Sequence, residues 1–232
     1  MKQGPRSRNR PEALAEKVYQ ALKQDIFAFR LMPGDRFSEN EIAERMEVSR
    51  TPVRQALFWL ERENYVEVWF RSGWQVKPFD FEYFEELYDL RTVLEREAVR
   101  RLCALPPSAC AEVLAALKRF WIDALRLEDG QAVSAQDEAF HIALVTAAGN
   151  QEMARIHTEL TEKIRIIRRL DFTRDDRIDA TYREHAQILQ AVFQQQTEEA
   201  QRILTSHIAV SKAEVRKITL HMLQQARLQP VE

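Results

Sequence analysis

Two helix starts lie close together near the N-terminus, and they limit the possible folds more than any other feature of the chain. Ser38-Glu39-Asn40-Glu41 is a capping box. The serine covers backbone N–H groups of the first turn, and the glutamate three residues on reaches back to the cap. The helix it opens ends near Met46. Ser49-Arg50-Thr51-Pro52 opens the next one, with Ser49 as N-cap and Pro52 in the first turn, where a missing N–H is harmless. That helix runs to about Glu63. Two short helices around a turn at Met46-Glu47-Val48 make a helix-turn-helix. A first helix, about Pro11–Phe29, precedes them with one apolar stripe of Leu14, Val18, Leu22, Ile26 and Phe29. Behind them, Val66-Glu67-Val68 and Trp74-Gln75-Val76 alternate apolar and polar around Arg71-Ser72-Gly73, the pattern of a β-hairpin. The order predicts a winged helix-turn-helix over residues 11–78, after a basic, flexible tail of residues 1–10.

On the third helix Val53, Leu57 and Leu60 form the inward face, while Arg50, Thr51 and Arg54 lie at its start and point elsewhere. In this motif the N-terminus of the second helix of the pair enters the major groove. An arginine there forks onto guanine O6 and N7 or grips a phosphate, and Thr51 meets a phosphate or a thymine methyl. Arg71, at the hairpin tip, would touch the backbone or the minor groove, as a wing does. A plain helical hairpin with surface arginines would show the same residues singly but not in this order. Charge is distributed accordingly: residues 1–79 carry 14 Lys and Arg against 11 Asp and Glu, and residues 80–232 carry 20 against 25. A basic head on an acidic body fits a double-stranded DNA partner for the first domain and another task for the second. Apolar residues make up 45% of the chain, which excludes a disordered protein. No apolar run nears the ~18 residues that span a bilayer, and no secretory signal opens the chain, so a cytoplasmic protein without a membrane partner is expected. Cys103 and Cys110 read as buried free thiols.

From Asp80 onward the pattern is helical throughout. Helices are expected at about Phe81–Ala104, Ser108–Leu127, Ser134–Ala148, Gln151–Leu170, Ala180–Gln195 and Thr197–Gln225. Gly130 marks a helix end and Gly149 a C-cap. The fold class is therefore mainly α: the winged domain, then an antiparallel helical bundle over residues 79–232. Within it Asp137 and His141 share one helix face. His185 and His207 lie on two later helices. A carboxylate and three imidazoles from three helices could meet around a divalent ion. Core histidines held only by hydrogen bonds are the competing reading. His157 and His221 match no pattern and are expected at the surface.

Leu31-Met32-Pro33-Gly34-Asp35-Arg36-Phe37-Ser38-Glu39, Glu41-Ile42-Ala43 and Val48 through Leu57 resemble the GntR family of bacterial transcriptional regulators. The resemblance implies that Ser49, Arg50, Thr51 and Arg54 contact DNA and that Arg71 and Gly73 form the wing. Glu47 and Asn64 stand where the family usually has glycine. Asp137 through His141 with Gly149-Asn150, then His185 through Leu189, Ala200, His207-Ile208, and Arg91 through Glu95 are similar to the FadR-type C-terminal domain, the FCD domain. That likeness implies a metal held by Asp137, His141, His185 and His207: zinc first, with nickel, manganese or iron as alternatives. It also implies a small organic acid beside the metal. Arg91 would oppose the acid's charge, unless it is committed to an ion pair with Glu95 at i+4. Asn150 would line the cavity or cap a helix.

These readings converge on a ligand-responsive regulator, a repressor by expectation, acting as a homodimer on a pseudo-palindromic operator with a small carboxylate as effector. The alternative is a metal-dependent hydrolase-like helical domain fused to a DNA-binding module. Glu138 and Glu184 each adjoin a ligand, however, so each points about 100° away from it, poorly placed for a general base. A metal that only stiffens the bundle is the third reading.

Overall fold

The computed structural model describes residues 10–70, 73–123, 130–171 and 175–218, which fall into two compact units dividing between Phe79 and Asp80. In the first unit α1 (Arg10–Phe27) packs on α3 (Arg50–Arg62). Ala15, Val18, Leu22 and Ile26 meet the inward face of Val53, Ala56, Leu57 and Leu60, all buried. Leu14 is 37% exposed, so the apolar stripe of α1 begins one position later than its periodicity predicts. The box at Ser38 forms: its hydroxyl accepts from Glu41 N, and Glu41 accepts from Ser38 N, which starts α2 (Glu39–Arg45).

Two of the left-handed turns flank α3. Glu47 sits at φ 54° between α2 and α3, and Asn64 at φ 73° after α3. Asparagine tolerates this conformation, whereas a glutamate held there carries strain. The turn at Glu47 is closed by Val48 N donating to Ala43 O at 3.0 Å, which swings the chain sharply into α3.

The wing has one strand more than the sequence predicts. β2 (Val66–Trp69) and β3 (Gly73–Val76) pair antiparallel, and β1 (Arg36–Phe37) pairs with the other edge of β3 in the order β1-β3-β2. Two residues are too short to show an alternation, so β1 left no signal. Gly73 allows the approach: a Cβ there would lie 3.1 Å from the Phe37 carbonyl oxygen. Arg71, at the turn between β2 and β3, lies outside the described residues.

The second unit is all helical. It comprises α4 (Phe81–Cys103), α5 (Pro107–Val113), α6 (Ala115–Lys118), a π-helical turn (Arg119–Asp123), α7 (Gly130–Ala147), α8 (Gln151–Asp171), α9 (Asp175–Phe193) and α10 (Thr197–Val215). Asp80 caps α4 by accepting from Tyr83 N. Helix α4 lies at the centre, packing on α7, α8, α9 and α10. Ala98, Val145 and Met153 lock α4, α7 and α8 together. Several boundaries differ from expectation. The segment from Ser108 is broken at Leu114 (φ −105°, ψ 9°) and then widens into the π turn. Gly130 begins α7 instead of ending a helix, α9 starts at Asp175, and α10 ends at Val215, with residues 219–232 outside the described set. Gly149 takes φ 76° at the α7–α8 turn, as a C-cap should. Cys103 and Cys110 are buried and free, and burial raises both thiol pKa values, so neither is a ready thiolate. Among the described residues no helix is long and apolar enough to cross a membrane.

Glycine at position 47 would relieve the left-handed strain. Glu47→Gly is expected to stabilise the first unit by about 1 kcal/mol, read as a higher urea midpoint at unchanged m-value.

Candidate metal centre and nucleic-acid interface

Helix α7 contributes Asp137 and His141 one turn apart, α9 contributes His185 and α10 contributes His207. All four are buried, and one ligand atom from each falls within 4.8 Å of the others. The Nε2 atoms of His141 and His207 are 3.1 Å apart, and those of His185 and His207 are 3.4 Å apart. Asp137 Oδ1 stands 3.1 Å from His185 Nε2, 3.7 Å from that of His141 and 3.9 Å from that of His207. Donors around a tetrahedral first-row ion with bonds of about 2.05 Å lie roughly 3.3 Å apart.

The outer nitrogens decide what the inner ones can do. His141 Nδ1–H donates to Glu95 Oε2 at 2.7 Å, and His207 Nδ1–H donates to Glu184 Oε2 at 2.6 Å. These bonds place both protons on the outer nitrogens, so each Nε2 turns its lone pair toward the centre of the cluster. Without an added proton, two such lone pairs at 3.1 Å repel, and a cation between them removes the repulsion. The residues present therefore fit a divalent ion. Phe140 stacks on the His185 ring at 3.8 Å, and Trp121, carried by the π turn, meets its edge at 4.2 Å. These two rings fix the orientation of His185.

Glu95 is the hinge of a wider buried network. Its Oε1 accepts from Arg91 Nε at 2.6 Å and from His157 Nε2 at 2.9 Å. Burial pushes the Glu95 carboxyl up, but Arg91, His141 and His157 outweigh this and hold it well below the usual carboxylate range. Arg91 thus makes its i+4 ion pair, yet Nη1 and Nη2 remain buried with no hydrogen-bond partner. His157 Nδ1 and Thr161 Oγ1 are likewise buried without one. On the other side of the cluster Arg168 pairs with Asp137 Oδ2.

The surface placement expected for His157 is wrong: it is fully buried. Met153, His157, Leu160, Thr161, Ile164 and Arg168 form the inward stripe of α8, a periodicity that its two charged or titratable members mask in the sequence. His221 lies outside the described residues. Asn150 acts as a cap, its Oδ1 accepting from Met153 N at 3.1 Å. Glu138 is held by Arg165, and Glu184 backs His207, so neither is free to act as a base.

In the first unit Ser49, Arg50, Thr51 and Arg54 are all exposed at the start of α3. Ser49 has N-cap backbone angles but makes no side-chain cap bond, so its hydroxyl is available to another acceptor. Arg50, Thr51, Arg54, Gln55 and Phe58 line a shallow hollow. Arg50 and Arg54 both lean on Glu39, the first residue of α2. The hydrogen bond from Arg54, joined by that from Arg50, lowers the Glu39 carboxyl to about 2.

The model of the bacterial regulatory proteins of the gntR family matches residues 14–76, and that of the FCD domain matches residues 86–210, more than half the chain. The chain belongs to the GntR family. This GntR-family member is a DNA-binding transcriptional regulator with an FCD domain, not an enzyme. The Nta operon transcriptional regulator of Aminobacter aminovorans is 28% identical over 185 residues, spanning 78% of this chain and 84% of its own. The HTH-type transcriptional repressor RspR of Escherichia coli K12 is 24% identical over 213 residues, 90% and 92% of the two chains. The solved structure of E. coli McbR/YncC superposes with a TM-score of 0.61 at 20% identity, covering 88% of this chain and 97% of its own, which speaks for the fold alone.

Removing Glu95 would strand the Arg91 charge and release the back of His141. Glu95→Ala is expected to cost about 3–5 kcal/mol in chemical denaturation, far more than Glu97→Ala, whose half-buried carboxylate pairs only at the surface.

Proposed function

We propose that this regulator is a repressor whose grip on its operator is set by a small organic acid bound beside a divalent metal in the helical unit. The observation that carries the reading is the meeting of four donor atoms from three helices, joined through Glu95 to a buried guanidinium with two unpartnered nitrogens. Three imidazoles and a carboxylate suit zinc first, and nickel, manganese or iron with the same donors. With these four donors in place, such an ion would take a carboxylate by expanding beyond four-coordination. Around it, Asp137, Glu95 and Glu184 carry three negative charges, and Arg91 and Arg168 carry two positive ones. With the ion the account ends one positive charge in excess, which favours an anion. Arg91 Nη1 and Nη2 form a fork that matches a carboxylate, and Thr161 and His157 offer a hydroxyl and a ring nitrogen to further polar groups of the acid. Asn150, engaged as a cap, has no such claim.

Ser49, Arg50, Thr51 and Arg54 read the major groove, with Arg71 and Gly73 in the wing. A homodimer on a pseudo-palindromic operator follows from the two-fold logic of the motif. Repression is supported by the repressor RspR among the relatives. The acid controls DNA release only if it favours one arrangement of the chain over the other, since equal affinity shifts nothing.

Trp121 provides the readout. Three of the four tryptophans lie in the first unit, and Trp121, in the second, touches His185 of the cluster. Titrating chelator-treated protein with zinc is expected to change Trp121 emission with an endpoint of one ion per chain, and to leave Trp121→Phe silent. Binding lost in His141→Ala and Asp137→Ala supports the site, whereas equal zinc uptake by both variants contradicts it. In gel shifts of the metal-loaded protein, hydroxy- and dicarboxylic acids are expected to lower operator affinity and to lose that effect in Arg91→Met; acids without effect at saturation sink the sensor reading.

Arg50→Ala is expected to lose discrimination between operator and random duplex by roughly 5- to 150-fold. Arg71→Ala is expected to weaken both duplexes alike and to reduce the salt slope by about one.

A further inference from the structure

Glu39 is a carboxylate placed among the side chains that meet a polyanion. Its side chain is 15% exposed, while those of Arg50 and Arg54 are 58% and 52% exposed. Arg54 grips it with a fork, Nε to Oε1 at 2.9 Å and Nη2 to Oε2 at 2.8 Å. Arg50 adds Nη2 at 3.0 Å and Nε at 3.3 Å, both to Oε2. The carboxylate is thus wedged behind two guanidinium groups. Each arginine uses its Nε–Nη2 edge inward, which leaves Nη1 and the second proton of Nη2 for an outside acceptor.

Without that carboxylate the two like charges, one helical turn apart, would repel and spread. The electrostatics make such a residue costly for DNA binding in general, because a fixed negative charge near the phosphates weakens attraction to every sequence. Its benefit lies elsewhere. Two long side chains ordered before binding lose less freedom on binding, and a fixed guanidinium edge accepts fewer wrong bases.

We propose that Glu39 is a positioning residue for sequence recognition, holding Arg50 and Arg54 as one preformed pair at the expense of non-specific affinity. The inference rests on the reading that these two arginines touch base edges. It predicts effects of opposite sign, which a merely structural role for Glu39 in the first turn of α2 would not produce.

The test starts with the full-length wild-type protein and a pool of random duplexes, from which a preferred site is selected. Kd is then measured over a salt series for that duplex and a scrambled one, with wild type, Glu39→Gln, Arg50→Ala/Arg54→Ala and the triple variant. Glu39→Gln is expected to bind scrambled DNA more tightly, with a steeper salt dependence, while the ratio of scrambled to selected Kd falls by about tenfold. In the double-arginine background the same change is expected to cause no further loss of that ratio. Thermal melting followed by circular dichroism checks folding. If Glu39→Gln does not fold, Glu39→Asp replaces it: the shorter carboxylate keeps the charge but reaches only one arginine, so discrimination should fall with no gain on scrambled DNA. A ratio unchanged by the substitution, or a parallel loss on both duplexes, overturns the positioning role. If the arginine pair can be removed with discrimination intact, the reading beneath it fails as well, and the two failures are told apart by that variant alone.

Discussion

A single buried carboxylate, Glu95, organises the helical unit. It accepts hydrogen bonds from Arg91 on its own helix α4, from His157 on α8 and from His141 on α7. A charge so deep in the core is tolerated only when every oxygen is paired, and breaking such an arrangement costs far more than forming it yields. Two consequences follow from the same three bonds. The His141 tautomer is fixed, so its inner nitrogen offers a lone pair toward His185, His207 and Asp137. Arg91 is anchored through Nε alone, which turns its two terminal nitrogens loose in the interior. One carboxylate thereby sets the His141 nitrogen on one side and the Arg91 guanidinium on the other, the two groups on which the proposed metal and acid sites rest.

The first unit uses the same device at its surface. Glu39 sits between Arg50 and Arg54 as Glu95 sits between Arg91 and two histidines, and in both places one acid holds several basic groups in a fixed relation. The difference is solvent. Around Glu39 water screens the pairs, so their contribution to stability is small and their value is geometric. Around Glu95 the low dielectric makes geometry and stability inseparable.

The sequence made legible whatever rests on local signals. The capping box at Ser38, the Ser49–Pro52 helix start and the Val53, Leu57, Leu60 face place α2 and α3 because caps and periodicity act within a few residues. Asp137 and His141 were visible as a one-turn pair, and His185 and His207 as histidines on later helices. What escaped depends on partners distant in sequence. The strand at Arg36–Phe37 exists only because β3 pairs with it, and Gly73 is small because Phe37 passes close by. The break at Leu114 and the π turn that brings Trp121 to His185 follow from packing, which periodicity does not report. His157 was expected at the surface because an inward titratable group looks improbable until its partner, Glu95, is known, and Arg168, inward for the same kind of reason with Asp137, gave no signal in the sequence. Glu39 was read as part of a motif, and its contact with two arginines becomes visible only when α2 is folded against α3.

The central claim is that His141, His185 and His207 share one ion with Asp137 and leave it a position for an acid. X-ray absorption spectroscopy of the zinc-loaded protein reads that coordination shell directly. The account predicts the outer-shell scattering of three imidazoles, bonds near 2.0–2.1 Å, and oxygen donors whose number or distance changes when a bound acid replaces water. A shell containing sulfur, fewer than three imidazoles, or one closed to added acid would contradict it.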